Sequence, residues 1–190
     1  MKTVKIEHGR RFLALVPHRD ARLLLRAWSS ELFAGGAAGA WHFPWVAPLA
    51  ALDRAPSRED ICAMARALRQ SLPPGKKFEC GGPVLAGISL ADAEEQVFVY
   101  GPALDLGDVL PWDGFPGTTA IRPTALGCAL MDGPAPSGLP APPALSFGAA
   151  ALAVIKARAI SGCEPSGCHP AGWHALRWKI GALAWLPRRG

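Results

Sequence analysis

The densest group of residues that could bind a metal lies near the C-terminal end of the chain. Cys163, Cys168, His169 and His174 form two pairs, each with four residues between its members. Thiolates and imidazoles are the ligands that zinc prefers, and this spacing is close to that of known zinc sites. A zinc finger, however, separates its two ligand pairs by a longer stretch, and the adjacent Cys168 and His169 would have to turn onto one ion. We therefore predict a loop with incidental polar residues and no bound metal.

A second candidate for chemistry is His42, which stands between Trp41 and Phe43. An imidazole in aromatic surroundings can act as a general acid or base, because burial and neighbouring groups tune its pKa. A histidine in such a place more often packs and forms hydrogen bonds. A phosphoesterase would need two histidines facing one pocket, and His42 and His174 are the candidate pair.

Neither a serine-hydrolase motif nor a nucleotide-binding motif is supported by the sequence. The segment Gly87-Ile-Ser-Leu-Ala91 resembles the nucleophile elbow GxSxG, but its last glycine is missing and a turn follows instead of a helix. No GxGxxG or GxxxxGK(S/T) motif occurs, so nucleotide binding through a glycine-rich loop has no support. The sequence therefore predicts no hydrolase triad and no cofactor.

Charge is distributed unevenly along the chain. The net charge is +5, with 13 basic and 7 acidic residues in 1–79, 1 basic and 7 acidic in 80–155, and 6 basic and 1 acidic in 156–190. If the two ends meet in space, they form a positive surface suited to a phosphorylated ligand or RNA. Its expected contacts are Arg11, Trp45, Arg177 and Lys179. The alternative is a solvated, arginine-rich surface without a ligand.

Hydrophobic periodicity indicates two helices and several strands in the first half. A strand is predicted over Arg11–Val16, followed by a helix capped by Asp20 that ends near Phe33. The apolar face of this helix is predicted to hold Leu23, Leu24, Ala27, Trp28 and Leu32. A buried strand with an irregular or edge portion is expected within Trp41–Leu52, where Pro44 and Pro48 interrupt a regular ladder.

The clearest helix begins at Ser57. Ser57 and Asp60 approximate a capping box, and the apolar stripe Ile61, Met64, Ala65, Leu68 and Leu72 ends at two prolines. Strands over Pro83–Leu90 and Gln96–Tyr100 are predicted to form a hairpin around an acidic turn.

The second half is predicted to consist mainly of strands. Thr118–Met131 is assigned as one strand, and 133–143 as a proline-rich connector. Leu145–Ile160 fits a helix or a strand by pattern, and a strand is preferred because no charge appears before Lys156. Trp173–Pro187 is predicted to be the last strand.

Composition indicates one soluble domain. Half of the 190 residues are hydrophobic and 18% are charged, which excludes general disorder. No segment has the long apolar run that a membrane span needs, and FLALV is too short for a signal-peptide core. The five cysteines are scattered and odd in number, so a reducing compartment is expected. The sequence therefore predicts a cytoplasmic protein without membrane partners.

The order of elements predicts an α+β fold rather than a doubly wound parallel sheet. We expect one domain over residues 1–190, with two lobes built on antiparallel sheets. An α/β N-terminal lobe of about 1–104 holds both helices, and a β-rich C-terminal lobe covers about 105–190.

The first hundred residues resemble one lobe of the 2H phosphoesterase superfamily, which includes RNA ligase-like and 2′,3′-cyclic phosphodiesterases. The resemblance is carried by the strand RFLALVP, the helices DARLLLRAWSSELF and SREDICAMARALRQSL, the strand FPWVAPLAAL, and the hairpin VLAGISL…QVFVYG. It implies two pseudo-symmetric lobes, each with an H-x-(T/S) motif whose histidine acts as acid or base beside a cyclic phosphate.

Neither histidine motif is present in this chain. The residues two places after the five histidines are Arg10, Asp20, Pro44, Ala171 and Leu176. The resemblance therefore implies a catalytically degenerate binding protein for a phosphorylated or RNA-like ligand. Two alternatives stay open: an active phosphoesterase with rearranged histidines, and a structural protein whose tryptophan-rich surface docks a partner chain.

Overall fold

A computed structural model describes residues 11–40, 43–72, 76–89, 96–106, 117–121, 123–131, 134–159 and 176–186. These ranges contain two α-helices and nine β-strands, in the order β1, α1, β2, α2, β3 to β9. Their bounds are β1 Arg11–Pro17, α1 Arg19–Ala34, β2 Ala47–Leu52, α2 Arg58–Ser71, β3 Phe78–Ser89, β4 Gln96–Leu104, β5 Thr118–Ala120, β6 Ala129–Met131, β7 Ser146–Phe147, β8 Ala149–Ala159 and β9 Leu176–Trp185.

The strands form two antiparallel sheets. The five-stranded sheet has the order β5-β2-β1-β8-β9, and the four-stranded sheet has the order β6-β4-β3-β7. The predicted α+β class is confirmed. The sheets do not follow the expected division of the chain near residue 104, because each sheet combines strands from before and after that point.

Alternation along β1 divides the core into two clusters. Leu13 and Leu15 belong to a cluster that includes the buried faces of both helices. Phe12, Ala14 and Val16 belong to a second cluster. Successive side chains of a strand point to opposite sides, so both sides of β1 are covered. The second cluster joins the two sheets, because it also contains Ala86, Val99 and Leu130 of β3, β4 and β6.

Helix α2 follows its sequence pattern closely. Ser57 caps it, the Ser57 Oγ accepts a hydrogen bond from the Asp60 N–H at 3.0 Å, and the Asp60 carboxylate accepts one from the Ser57 N–H at 2.9 Å. This reciprocal pair is the predicted capping box. The stripe Ile61, Met64, Ala65 and Leu68 is buried, and the helix packs against β8 and β9.

Helix α1 differs from its prediction in its cap and in its buried face. His18 occupies the N-cap position, and Asp20 lies in the first turn without capping the helix. Leu23 and Leu24 are about half exposed, at 52% and 49%. The reason is that the apolar residues of this helix lie on several of its sides, so the sequence alone does not determine which side faces the core. The buried residues are Ala21, Leu25, Trp28, Ser29 and Leu32.

The predicted single strand over Thr118–Met131 is wrong. The segment begins as β5 beside β2 in one sheet and ends as β6 beside β4 in the other. Between them, the Ile121 N–H donates to Leu49 O and the Cys128 N–H donates to Tyr100 O. The chain therefore crosses from one sheet to the other, which limits each strand to three residues.

The other predicted strands are present, with changed lengths. The hairpin of β3 and β4 pairs Ser89 with Gln96, and both strands extend further from the turn than predicted. The strand preference for Leu145–Ile160 is confirmed by β7 and β8, and β9 lies within the predicted last strand. The strand expected within Trp41–Leu52 begins only at Ala47.

Candidate phosphate-binding surface

Three basic residues form a row across neighbouring strands at one end of the five-stranded sheet. Arg11 of β1 pairs with Lys156 of β8, and Lys156 pairs with Lys179 of β9. Paired residues on antiparallel strands have Cα atoms about 4.5–5.5 Å apart and point to the same side. Arg11 and Lys179 are therefore about 10 Å apart, on either side of Lys156. We call these three residues the basic row.

The basic row lies on the side of the sheet that the helices cover. Arg11 alternates with Leu13, and Lys156 with Val154, and both apolar residues belong to the cluster that contains the helix faces. Arg11 and Lys156 are half-buried, and Lys179 is exposed. None of the three side chains forms a hydrogen bond or an ion pair with another described residue. Like charges side by side repel, so an anion placed on the row would relieve that repulsion.

The basic positions continue one step further along β8 and β9. Arg158 and Arg177 pair with each other in the backbone register, two residues beyond Lys156 and Lys179. Basic residues thus alternate as Lys-x-Arg on β8 and as Arg-x-Lys on β9. Five basic positions therefore occupy one corner of the sheet, where β1 begins, β8 ends and β9 begins.

The opposite flank of this sheet end has mixed charge. A shallow cleft that opens to solvent is lined by Arg54 and Asp60 among apolar and small residues. Hydrogen bonds from the backbone and hydroxyl of Ser57 lower the pKa of the Asp60 carboxyl, with a smaller contribution from Arg54. The first turn of α2 also carries Glu59. The cleft therefore carries charges of both signs, whereas the basic row carries only positive charge.

Of the four expected ligand contacts, the structure brings Arg11 and Lys179 together and places Arg177 at the adjacent register position. Trp45 lies elsewhere, just before β2 at the end of the sheet where Ala47 pairs with Leu15. Its indole N–H donates to Ser29 Oγ at 3.0 Å. Trp45 therefore takes part in the packing of α1 and not in the basic row.

The proposed catalytic and metal-binding residues lie outside the described residues. These are His42, Cys163, Cys168, His169 and His174. Within the described ranges, no group of three or more His, Cys, Asp or Glu side chains is arranged to hold a metal ion.

The described thiols that carry a shifted pKa are poor nucleophiles. Burial raises the pKa of Cys80 to about 11, with the neighbouring Glu79 charge adding to the effect. Burial also raises the pKa of Cys128 well above its ordinary value, against a smaller opposing effect of a hydrogen bond with Ser29. Because the thiolate is the reactive form, neither thiol suits covalent catalysis at neutral pH.

The space between the two sheets holds apolar side chains. The rings of Phe43 and Trp178 meet edge to face at a centroid distance of 4.9 Å, and Phe12 lies 6.2 Å from Trp178. Phe12 and Phe43 are buried in the second cluster, and Trp178 packs against it. The described part of this space is therefore packed rather than open to a ligand.

Lys156 is the member of the basic row that sequence reasoning missed. It is the first charged residue after a long apolar run. A usable signal was present, because Lys156 and Arg158 alternate in the same way as Arg177 and Lys179. Two strands with matching alternation of basic residues are candidates for direct pairing.

Neither described helix has the length and apolar character required to span a membrane. No protein-family model, curated protein or solved structure gives a significant match to the chain.

Proposed function

We propose that this protein is a non-catalytic binding protein for RNA-like ligands and that it holds their phosphates on the basic row. The observation that carries the proposal is the alignment of Arg11, Lys156 and Lys179 across three adjacent strands without a described ion-pair partner. Lys and Arg side chains that neutralise phosphates release counterions, which favours binding.

The shape of the row favours an extended ligand over a small enclosed one. The row spans about 10 Å across the sheet and continues along β8 and β9 at the Arg158 and Arg177 positions. The cleft lined by Arg54 and Asp60 lies on the other flank and contains an acidic group. A chain of phosphates therefore matches the arrangement of charge better than a single phosphate does.

Binding of this kind carries little sequence specificity. Sequence readout of single strands depends on aromatic side chains that stack bases and on polar groups at base edges. Phe12 and Trp178 are the described aromatic residues directly next to the row in sequence. Their rings pack with each other, and Trp178 also packs with Phe43, instead of forming a stacking surface. The ligand is therefore recognised by its charge.

The proposed absence of catalysis extends the resemblance to the 2H phosphoesterases. The chain has Pro44–Pro48 where the first histidine motif would be expected, and Val46 of this segment is buried in the cluster between the sheets. Apolar packing at that position supports a scaffold from which the acid–base pair has been lost. We infer a repurposed member of that superfamily.

The test is a binding titration with a mixed-sequence single-stranded RNA oligonucleotide at several salt concentrations, followed by fluorescence anisotropy. The variant Lys156→Gln/Lys179→Gln should bind more weakly, and its log–log salt slope should fall in magnitude by about 0.7 per lysine removed. The matched control is Lys76→Gln/Lys77→Gln, which removes the same charge from two exposed lysines before β3.

Two results would overturn the proposal. One is equal loss of affinity in both double variants, since that would reflect net charge and not the basic row. The other is native affinity in Lys156→Gln/Lys179→Gln. Turnover of a 2′,3′-cyclic nucleotide by the native protein would separately contradict the non-catalytic assignment.

A further inference from the structure

Strand β9 forms one edge of the five-stranded sheet and exposes large apolar side chains. It pairs with β8 on one side, and no other described strand pairs with its outer edge. The exposed fractions are 56% for Ile180, 40% for Leu183 and 70% for Trp185. Exposed edge strands are usually protected by charges, prolines or a covering segment, because they can pair with another chain. An apolar edge of this kind indicates an interface.

The exposed residues of β9 lie on the same side of the sheet. Ile180 pairs with Ile155, Leu183 with Ala153 and Trp185 with Ala151. Those three positions alternate along β8 and belong to the second core cluster. An irregularity in the register at Gly181 adds one residue to β9, which keeps Ile180 and Leu183 on one side although they are three residues apart. We call Ile180, Leu183 and Trp185 the apolar stripe.

The residues around this irregularity form a symmetric pattern. The segment Trp178-Lys-Ile-Gly-Ala-Leu-Ala-Trp185 has a tryptophan at each end, and Ile180 and Leu183 stand at equal distances from the Gly181–Ala182 bond. A two-fold axis at this bond, perpendicular to the sheet, would place a second β9 antiparallel to the first. Ile180 would then face Leu183 of the second copy, and Trp178 would face Trp185 of the second copy. Two-fold interfaces require such self-complementarity.

The charges on β9 fit the same register. Lys179 would lie opposite Ala184 of the second copy, so no pair of lysines would meet directly. Like charges placed directly across two strands destabilise the pair, and this register avoids that arrangement. Pairing with an unrelated strand does not require the residues of β9 to be symmetric about the centre of β9. The pattern therefore favours a second copy of this chain over a different peptide.

We propose that two copies of this chain pair antiparallel through the outer edges of β9 and form a two-fold dimer. The main-chain hydrogen bonds of the two edges supply the pairing, and the apolar stripes of the two copies pack side by side on one face of the joined sheet. The two five-stranded sheets become continuous, with both basic rows on the same side. Because Lys179 faces Ala184 of the second copy, the rows are offset by five residues, or about 17 Å along the strands.

The first test measures the molar mass of the native protein by sedimentation or light scattering over a wide range of concentration. A dimer is expected, and the variant Leu183→Lys should raise its dissociation constant by about tenfold or more. The matched control is Leu23→Lys on α1, which alters a leucine of similar exposure, 52%, away from β9. It should leave the dimer intact. A monomeric native protein, or equal weakening by both variants, would overturn the proposal.

The second test determines the register by disulfide cross-linking. A mixture of the Ile180→Cys and Leu183→Cys variants should give a covalent dimer under mild oxidation, because their Cβ atoms would face each other across the two strands. Each variant alone, and the native chain with its own cysteines, should cross-link much less. Efficient cross-linking of Ile180→Cys with itself would contradict this register.

This inference is independent of the proposed function. Lys156→Gln/Lys179→Gln should retain the dimer, and Leu183→Lys should retain the charges of the basic row. A native protein that dimerises but does not bind RNA would contradict only the proposed function, and one that binds RNA but stays monomeric would contradict only the dimer.

Discussion

Two regions of the molecule differ in how their polar groups are satisfied. One is the contact between α1 and the segment that crosses from β5 to β6, and the other is the outer edge of β9. In the packed region, the buried Ser29 hydroxyl lies within hydrogen-bond distance of Leu25 O, Cys128 O and the Trp45 indole N–H. Two glycines in this region stand against carbonyl oxygens of neighbouring segments. At the edge, Lys179 has no described polar partner, and Trp185 is 70% exposed.

The contrast between bonded buried groups and exposed edge residues distinguishes residues that stabilise the fold from residues that are available for binding. A buried polar group must be hydrogen-bonded within the protein, so Ser29 and Trp45 are committed to structure. Exposed apolar and charged side chains on an edge strand contribute little to the stability of one chain. Substitutions in the packed region should therefore change stability, and substitutions at the edge should change binding.

The largest effect is expected for Gly39→Ala. A β-carbon at Gly39 would overlap the Leu130 carbonyl, and the two residues are already joined by a hydrogen bond from the Leu130 N–H to Gly39 O at 3.0 Å. Because backbone cannot move aside as a flexible side chain does, we expect a loss of about 3 kcal/mol or more of unfolding free energy. Urea unfolding followed by circular dichroism measures it.

The control for this glycine is Gly82→Ala in β3, where an added β-carbon meets nothing within 4 Å. Its stability should change by less than about 1 kcal/mol, in the stabilising direction if at all. Native-like stability of Gly39→Ala would show that the two segments are not packed as closely as the structure has them.

A smaller effect is expected for Ser29→Ala. The change removes the hydroxyl that accepts the hydrogen bond of the half-buried Trp45 indole N–H. Loss of a buried hydrogen-bonding group costs about 1–3 kcal/mol. Ser30→Ala serves as the matched control, because Ser30 is exposed and its hydroxyl donates to Arg26 O one turn earlier. Equal stability of the two variants in urea titrations would contradict the assigned role of Ser29.

Local signals in the sequence predicted α2 well and α1 less well. For α2, Ser57 and Asp60 fix the start, and the apolar residues lie on one side only. For α1, Leu23, Leu24 and Leu25 are consecutive, and only the last is buried. Which leucine faces inward depends on the sheets that the helix meets, and no local pattern carries that information.

The candidate surface depended on contacts that are distant in the sequence. The charge of the two ends of the chain predicts both Arg11 and Lys179 as ligand contacts. Their alignment required the register of β1 with β8 and of β8 with β9, which is set across the whole length of the chain. The irregularity at Gly181 could not be predicted from the sequence either. Strict alternation places Ile180 and Leu183 on opposite sides of the strand.

The smallest effect is expected at the start of α2, on the exposed flank of the same sheet end. Ser57→Ala should lower the unfolding free energy by about 1 kcal/mol, since it removes one half of the capping box. Asp60→Asn tests the other half through its dependence on pH. Hydrogen bonds from Ser57 lower the pKa of Asp60 below its ordinary value of 3.8 in the folded state.

A lowered carboxyl pKa stabilises the fold above the unfolded value, and this contribution is lost as the pH falls through the folded value. The native protein should therefore lose more stability than Asp60→Asn between pH 5 and the acid side of 3.8. Urea titrations at several pH values measure the difference. If the unfolding free energies of the two proteins change with pH in parallel, the ionised Asp60 carboxylate does not stabilise the start of α2. Because this group is exposed, a large difference would instead weaken the contrast between packed and open regions.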